Sequence, residues 1–98
     1  MTIVQDIAAF LTSHHTFLIT SHERPDGDSV GSQLATALAL QQLGKQVTVI
    51  NRDPAPPNYR RLPGSSMIQL GTRAQGKFDA LVILECNNLA RSGLEGLE

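Results

Sequence analysis

The stretch Thr16-Phe17-Leu18-Ile19-Thr20-Ser21-His22-Glu23-Arg24-Pro25-Asp26-Gly27-Asp28-Ser29-Val30-Gly31-Ser32 decides how the chain is read. Its first six residues are mostly β-branched or apolar, the composition of a buried strand. Pro25 and Gly27 then interrupt regular structure. From Ser29 to Leu43 apolar residues return at helical spacing, with Val30, Leu34, Ala37, Leu38 and Leu43 available for burial. Gly44 stands where a glycine closes a helix in the left-handed conformation. A strand, a polar loop and a helix, in that order, open a β-α-β unit.

Upstream, Thr2 to Ser13 reads as a helix with Thr2 as its N-cap, because Ile3, Ile7, Phe10 and Leu11 share one face. Downstream, Lys45 to Asn51 reads as the next strand, and a proline-rich segment follows from Arg52 to Gly64. Met67 to Leu70 reads as a minor edge strand. Residues 78–86 contain Ala-Leu-Val-Ile-Leu, the most apolar run in the chain and the candidate central strand, and Asn87 to Leu97 begin a further helix. Strands joined by helical crossovers imply right-handed connections and a parallel sheet. The fold class expected is therefore α/β: a Rossmann-like, mainly parallel sheet with helices on both faces, the first half of a doubly wound fold.

Composition narrows the function classes. The 98 residues suffice for one domain. Eight Lys and Arg against nine Asp and Glu leave a net charge of -1, so no global field exists to hold long duplex nucleic acid. With 4% aromatic residues and no Trp, a base-stacking platform is not expected. Cys86 is the one cysteine and has no internal partner for a disulfide. No basic segment precedes an apolar run at the start, and no apolar stretch approaches the ~20 residues of a membrane span. A cytoplasmic chain without a membrane partner is the expectation. No G-x-G-x-x-G occurs, so a dinucleotide cofactor is not indicated.

In open α/β sheets, ligands bind beyond the carboxyl ends of the strands. Three loops leave those ends: the first carries His22, Asp26 and Asp28, the second Arg52 and Asp53, the third Glu85, Cys86, Asn87 and Asn88. Two carboxylates two residues apart repel unless a positive charge lies between them. A divalent cation supplies it, and imidazole with carboxylate oxygens suits Mn²⁺, Mg²⁺, Fe²⁺ or Zn²⁺. In the purely structural alternative, Asp28 helps cap the helix while Asp26 and Gly27 form a turn. Cys86 reads as a small buried hydrophobe, with no His nearby in sequence to activate it.

The run His22-Glu23-Arg24-Pro25-Asp26-Gly27-Asp28-Ser29-Val30-Gly31-Ser32 resembles the first motif of the DHH phosphoesterase superfamily. The oligoribonuclease (nano-RNase) and 3′-phosphoadenosine 5′-phosphate phosphatase branch is the most similar. Lys45-Gln46-Val47-Thr48-Val49, Leu62-Pro63-Gly64 and Phe78-Asp79 extend the likeness along nearly the whole chain. The resemblance implies that residues 1–98 are the N-terminal part of a DHH domain, with the substrate-binding domain outside this chain. It implies two divalent ions, Mn²⁺ with Mg²⁺ as the alternative. His22 and Asp26 would hold one, Asp28 the second, and Glu85 would bridge them. Arg91, in Asn88-x-x-Arg91-x-Gly93, would help orient a phosphate. The expected substrate is short RNA or 3′-phosphoadenosine 5′-phosphate. Other activities in the superfamily are cyclic-dinucleotide phosphodiesterase and single-strand exonuclease, and a non-catalytic nucleotide- or metal-binding module is the reading from a different class. Two departures stand out: the family places Asp where this chain has Glu85, and no Asp-His-His triplet occurs.

Overall fold

The computed structural model describes residues 2–73, 76–86 and 88–97. Helix α1 spans Ile3–Ser13. Its first turn is closed reciprocally: the Gln5 N–H donates to Thr2 Oγ1 at 3.1 Å, and the Thr2 N–H donates to Gln5 Oε1 at 2.9 Å. Strand β1 is Thr16–Thr20, helix α2 Gly27–Gln42, strand β2 Gln46–Asn51, strand β3 Ile68–Leu70 and strand β4 Ala80–Ile83. Gly44 ends α2 as expected, at φ 81°, a conformation that needs no Cβ.

The four strands form one parallel sheet in the order β3-β2-β1-β4. β1 pairs with β2 in the register Ile19↔Val49, and with β4 in the register Thr20↔Ile83. The chain therefore builds outward from β1 to β2 and β3, then returns to β1's other side. That reversal makes the gap between the carboxyl ends of β1 and β4 a topological switch point, where ligands of such sheets bind.

The α/β, Rossmann-like expectation is met, with particulars that differ. Phe17, Ile19 and Val49 pack with Ala37 and Leu40 of α2 on one face of the sheet. On the other, Leu18 and Ile50 are covered by Leu94, with Phe78, Leu81 and Leu97 around them. Where a third helix was expected from Asn87, the described residues hold a 3₁₀ turn at Leu89–Ser92, so this face is met by turn and extended chain; Asn87 itself lies outside the described residues. α1 touches the core through Leu11, whereas Ile3, Ile7 and Phe10 of the same stripe are 76%, 55% and 45% exposed. Helical periodicity identifies an apolar face but not what covers it. Leu38 of α2 and its C-cap Leu43 are exposed, and Ser29, Gln33 and Leu40 take buried places.

The amino ends of β1 and β4 are fastened by one side chain. Asp79 Oδ2 accepts from the His15 N–H at 3.1 Å, and Oδ1 accepts from the Thr16 N–H at 2.9 Å and the Thr16 hydroxyl at 3.0 Å. The His15 N–H, foremost among these donors, holds the Asp79 carboxyl below the ordinary aspartate value of 3.8. A carboxyl depressed in the folded state stabilises the fold above its unfolded value, and that contribution disappears as pH falls through the folded value. Asp79→Asn is therefore expected to lower the thermal midpoint by several degrees at neutral pH. The gap from wild type should stay constant down to about pH 3.8 and close below it, as melting curves across pH would show.

Candidate functional site

β1 delivers the chain to the switch point through Ser21 and His22. The His22 side chain is 17% exposed, and its Nδ1 lies 2.6 Å from the Glu23 carbonyl oxygen. A carbonyl oxygen only accepts, so Nδ1 carries the proton and the lone pair of the neutral ring sits on Nε2. Nε2 stands 3.9 Å from Asp26 Oδ2. A backbone carbonyl that fixes one ring nitrogen and frees the other is the usual arrangement behind a metal-binding imidazole.

Asp26 is the N-cap of α2, which corrects the assignment of capping to Asp28. The Ser29 N–H donates to Asp26 Oδ1 at 2.9 Å, and the Asp26 N–H donates to Ser29 Oγ at 2.9 Å. The short Asp26 side chain in extended backbone reaches the third N–H of the helix, and Ser29 returns the bond. The two oxygens of Asp26 thus have separate duties: Oδ1 starts the helix and Oδ2 faces His22. The Ser29 N–H is the foremost cause holding the Asp26 carboxyl below its ordinary value; burial opposes it, and the Ser29 hydroxyl adds a lesser lowering. Asp26 is accordingly a carboxylate at neutral pH. Asp28 follows in the first turn, exposed, where the helix dipole favours an anion. Its carboxylate makes no hydrogen bond or ion pair among the described residues.

The three loops meet, as the topology required. The Glu23 N–H donates to the Arg91 carbonyl at 2.7 Å, tying the loop after β1 to the segment after β4. The Arg24 N–H donates to Asp53 Oδ2 at 2.9 Å, tying it to the loop after β2. Asp53 is a bridge, with the Arg52 guanidinium 3.5 Å from its other oxygen. Gly93 sits tightly at this junction: at φ 72°, a Cβ there would stand 2.8 Å from Arg52 Cγ and 3.0 Å from Glu23 Oε2. Among the described residues, the non-glycine positions with positive φ are Arg24 at 54° and Glu85 at 57°. One lies in each loop flanking the switch point. Such strain persists where surrounding structure over-determines it, and it clusters at functional sites.

Glu85 follows β4 two residues after Ile83, which pairs with Thr20, and the Leu84 N–H donates to the Thr20 carbonyl at 3.0 Å. It therefore leaves the same sheet edge as the His22 loop. Of the four expected ligands, His22 and Asp26 are brought together, while Asp28 and Glu85 stand at that edge without joining them. Among the described residues no three His, Cys, Asp or Glu side chains are gathered closely enough to hold a metal ion. One imidazole nitrogen with anionic oxygens still suits a hard divalent cation by its chemistry. Arg91 is exposed, and the group it contributes here is its carbonyl. Cys86 donates from Sγ to the Asn88 carbonyl at 3.0 Å, a structural use. Arg60 Nε is engaged with the Ala55 carbonyl at 2.9 Å.

Ser21, Gln33 and Asn51, buried at the same end of the sheet, escaped the sequence reading. A signal existed for Gln33: it lies four residues from both Ser29 and Ala37, inside the buried strip of α2.

No family model matches the chain. A crystal structure of an exopolyphosphatase-related protein from Bacteroides fragilis is similar to it, with a TM-score of 0.81 and 26% identity over 91% of this chain. The chain spans 28% of that protein's length. The likeness supports the Rossmann-like α/β fold. No helix among the described residues is long and apolar enough to cross a membrane.

Ser29→Ala removes one half of the reciprocal cap and leaves the Asp26 N–H unpaired. It is expected to cost about 1 kcal/mol in chemical denaturation. The Asp26 carboxyl should titrate higher than in wild type, but only in part, because the Ser29 N–H remains. Carboxyl-detected pH titration by NMR measures this directly.

Proposed function

We propose that this chain is the N-terminal part of a DHH-type, divalent-metal-dependent phosphoesterase of the cytoplasm. Its substrates are short oligoribonucleotides or 3′-phosphoadenosine 5′-phosphate. The observation that carries the reading is the His22 ring, held through Nδ1 by a backbone carbonyl so that Nε2 faces Asp26 Oδ2, beside the switch point. The likeness to an exopolyphosphatase-related protein supports the same reaction class.

His22 Nε2 and Asp26 Oδ2 hold one ion in this reading. Asp28 would contribute to a second, and Glu85, on the loop after β4, would supply a further carboxylate. Mn²⁺ suits the donor set, with Mg²⁺ as the alternative. Divalent ions at such a site supply Lewis acidity and a water acidic enough to attack phosphorus at neutral pH. The protein's own part is positional. The α2 N-terminus holds the Asp26 carboxylate through the Ser29 N–H and favours a phosphate nearby. Arg91, on the segment bonded to Glu23, orients the substrate phosphate. A second reading, a non-catalytic metal- or nucleotide-binding module, draws on the incomplete gathering of donors among the described residues.

Asp28→Asn tests whether Asp28 is a metal ligand or only part of the helix start. Asn keeps the size and the helix start but removes a negative oxygen. In the longer protein, turnover of a short oligoribonucleotide with Mn²⁺ is expected to fall by orders of magnitude. The metal-free thermal midpoint should stay unchanged or rise as repulsion from Asp26 is relieved. Normal turnover in this variant would return the loop to a purely structural role.

Residues 1–98 alone are expected to bind Mn²⁺ yet hydrolyse a dinucleotide negligibly, since in-line displacement between two ions needs further ligands. Robust Mn²⁺-dependent hydrolysis by the purified chain would show that the site is complete within it.

A further inference from the structure

One strip of α2 changes from apolar to polar toward the candidate site, while Val30 and Leu34 beside it stay apolar and pack with Ala55. Ala37 and Leu40 pack with Phe17, Ile19 and Val49. Toward the start of the helix the same strip carries Gln33 and then Ser29, both fully buried. The strands continue in step. Side chains alternate in direction along a strand, so Phe17 and Ile19 lead to Ser21, and Val47 and Val49 lead to Asn51. Ile19 pairs with Val49, which sets Ser21 and Asn51 level two residues further on. α2 returns between two parallel strands, so its first turns lie over their carboxyl ends.

Ser21 is 1% exposed, and Gln33 and Asn51 are 0% exposed. Gln33 Nε2, Gln33 Oε1, Ser21 Oγ and Asn51 Nδ2 have no hydrogen-bond partner among the described residues. Asn51 uses its oxygen to accept from Thr20 Oγ1 at 3.5 Å. Buried polar atoms without partners are destabilising, and water is what satisfies them in folded proteins. The orphan set fits water: two amide nitrogens donate to its oxygen, and an amide oxygen and a hydroxyl accept its protons.

We propose that Gln33 is a positioning residue for the candidate site, acting through buried water that it shares with Ser21 and Asn51. The proposal rests on the reading of His22 and Asp26 as metal ligands. Ser21 immediately precedes His22, and Ser29, one helical turn from Gln33, holds Asp26. A hydrated polar layer linking these points sets the distance between His22 and Asp26, whereas an apolar layer would let α2 slide on the sheet.

The test uses the 98-residue chain with Gln33→Met, which keeps length but removes both polar atoms, and Ser21→Ala, a milder change that decides if the first does not fold. In wild type, the side-chain amide protons of Gln33 and Asn51 should show NMR cross-peaks to long-lived water. Gln33→Met should weaken Mn²⁺ binding roughly ten-fold, the scale on which outer partners of metal ligands act. Its metal-free thermal midpoint should be unchanged or higher. The double variant should bind no more weakly than Gln33→Met alone, because both act through the same water. Absence of the water cross-peaks, or wild-type Mn²⁺ affinity in the variants, overturns the proposal and leaves the metal reading intact. Absence of Mn²⁺ binding by wild type overturns the metal reading and the positioning role with it, while the cross-peaks alone decide whether the water is there.

Discussion

β1 is paired on both sides, and the rest of the structure depends on that. Its backbone bonds to β2 along one edge and to β4 along the other, both in parallel. A parallel pair requires a crossover, so each neighbour of β1 arrives by its own path, and the two paths diverge above the carboxyl end of β1. The gap between them is where His22 emerges. Asp79 fastens the opposite end, receiving the His15 and Thr16 N–H groups, so β4 is pinned to β1 at both ends of the pairing.

Local economy at the site follows from this placement. Asp26 starts α2 with one oxygen and faces His22 with the other, so helix initiation and presentation of the donor pair are one act of folding. A change that loosened the helix start would move the carboxylate as well. Strained backbone at Arg24 and Glu85 stands on either side of the gap, and main-chain bonds from Glu23 and Arg24 hold the three loops against one another. Rigid loops on rigid strand ends are the setting in which a charged site keeps its geometry without a ligand to organise it.

The layers above and below the sheet are unequal. α2 covers one face as a helix with buried residues from end to end, joined there by Leu11 of α1, which turns Ile3, Val4 and Ile7 outward, whereas turn and extended chain around Leu94 meet the other face. Within the α2 layer, one strip passes from Leu40 and Ala37 to Gln33 and Ser29 near the site, beside the apolar Val30 and Leu34. A purely apolar interface is non-directional and tolerates small shifts; hydrogen-bonding groups demand one arrangement. The polar residues thus sit where positional accuracy matters and the apolar ones where bulk stability does.

The sequence by itself determined the order of strands and helices, the caps at Thr2 and Gly44, and the loop carrying His22, Asp26 and Asp28, because these depend on residues close together along the chain. β-branched runs, helical spacing, Pro25 and Gly27 are local signals, and α2 and β1 fall where they indicate. Tertiary structure alone decided which oxygen of Asp26 serves the helix, that Asp53 bridges two loops, that Gln33 is buried, and that most of the α1 stripe is exposed. It also decided that Glu85 shares an edge with His22 without meeting it. Each of these turns on distances between residues far apart in sequence, or on what covers an apolar face, and periodicity records neither. A glutamine in a buried strip looks like any polar interruption of a helix until the strands beneath it are seen to be polar too.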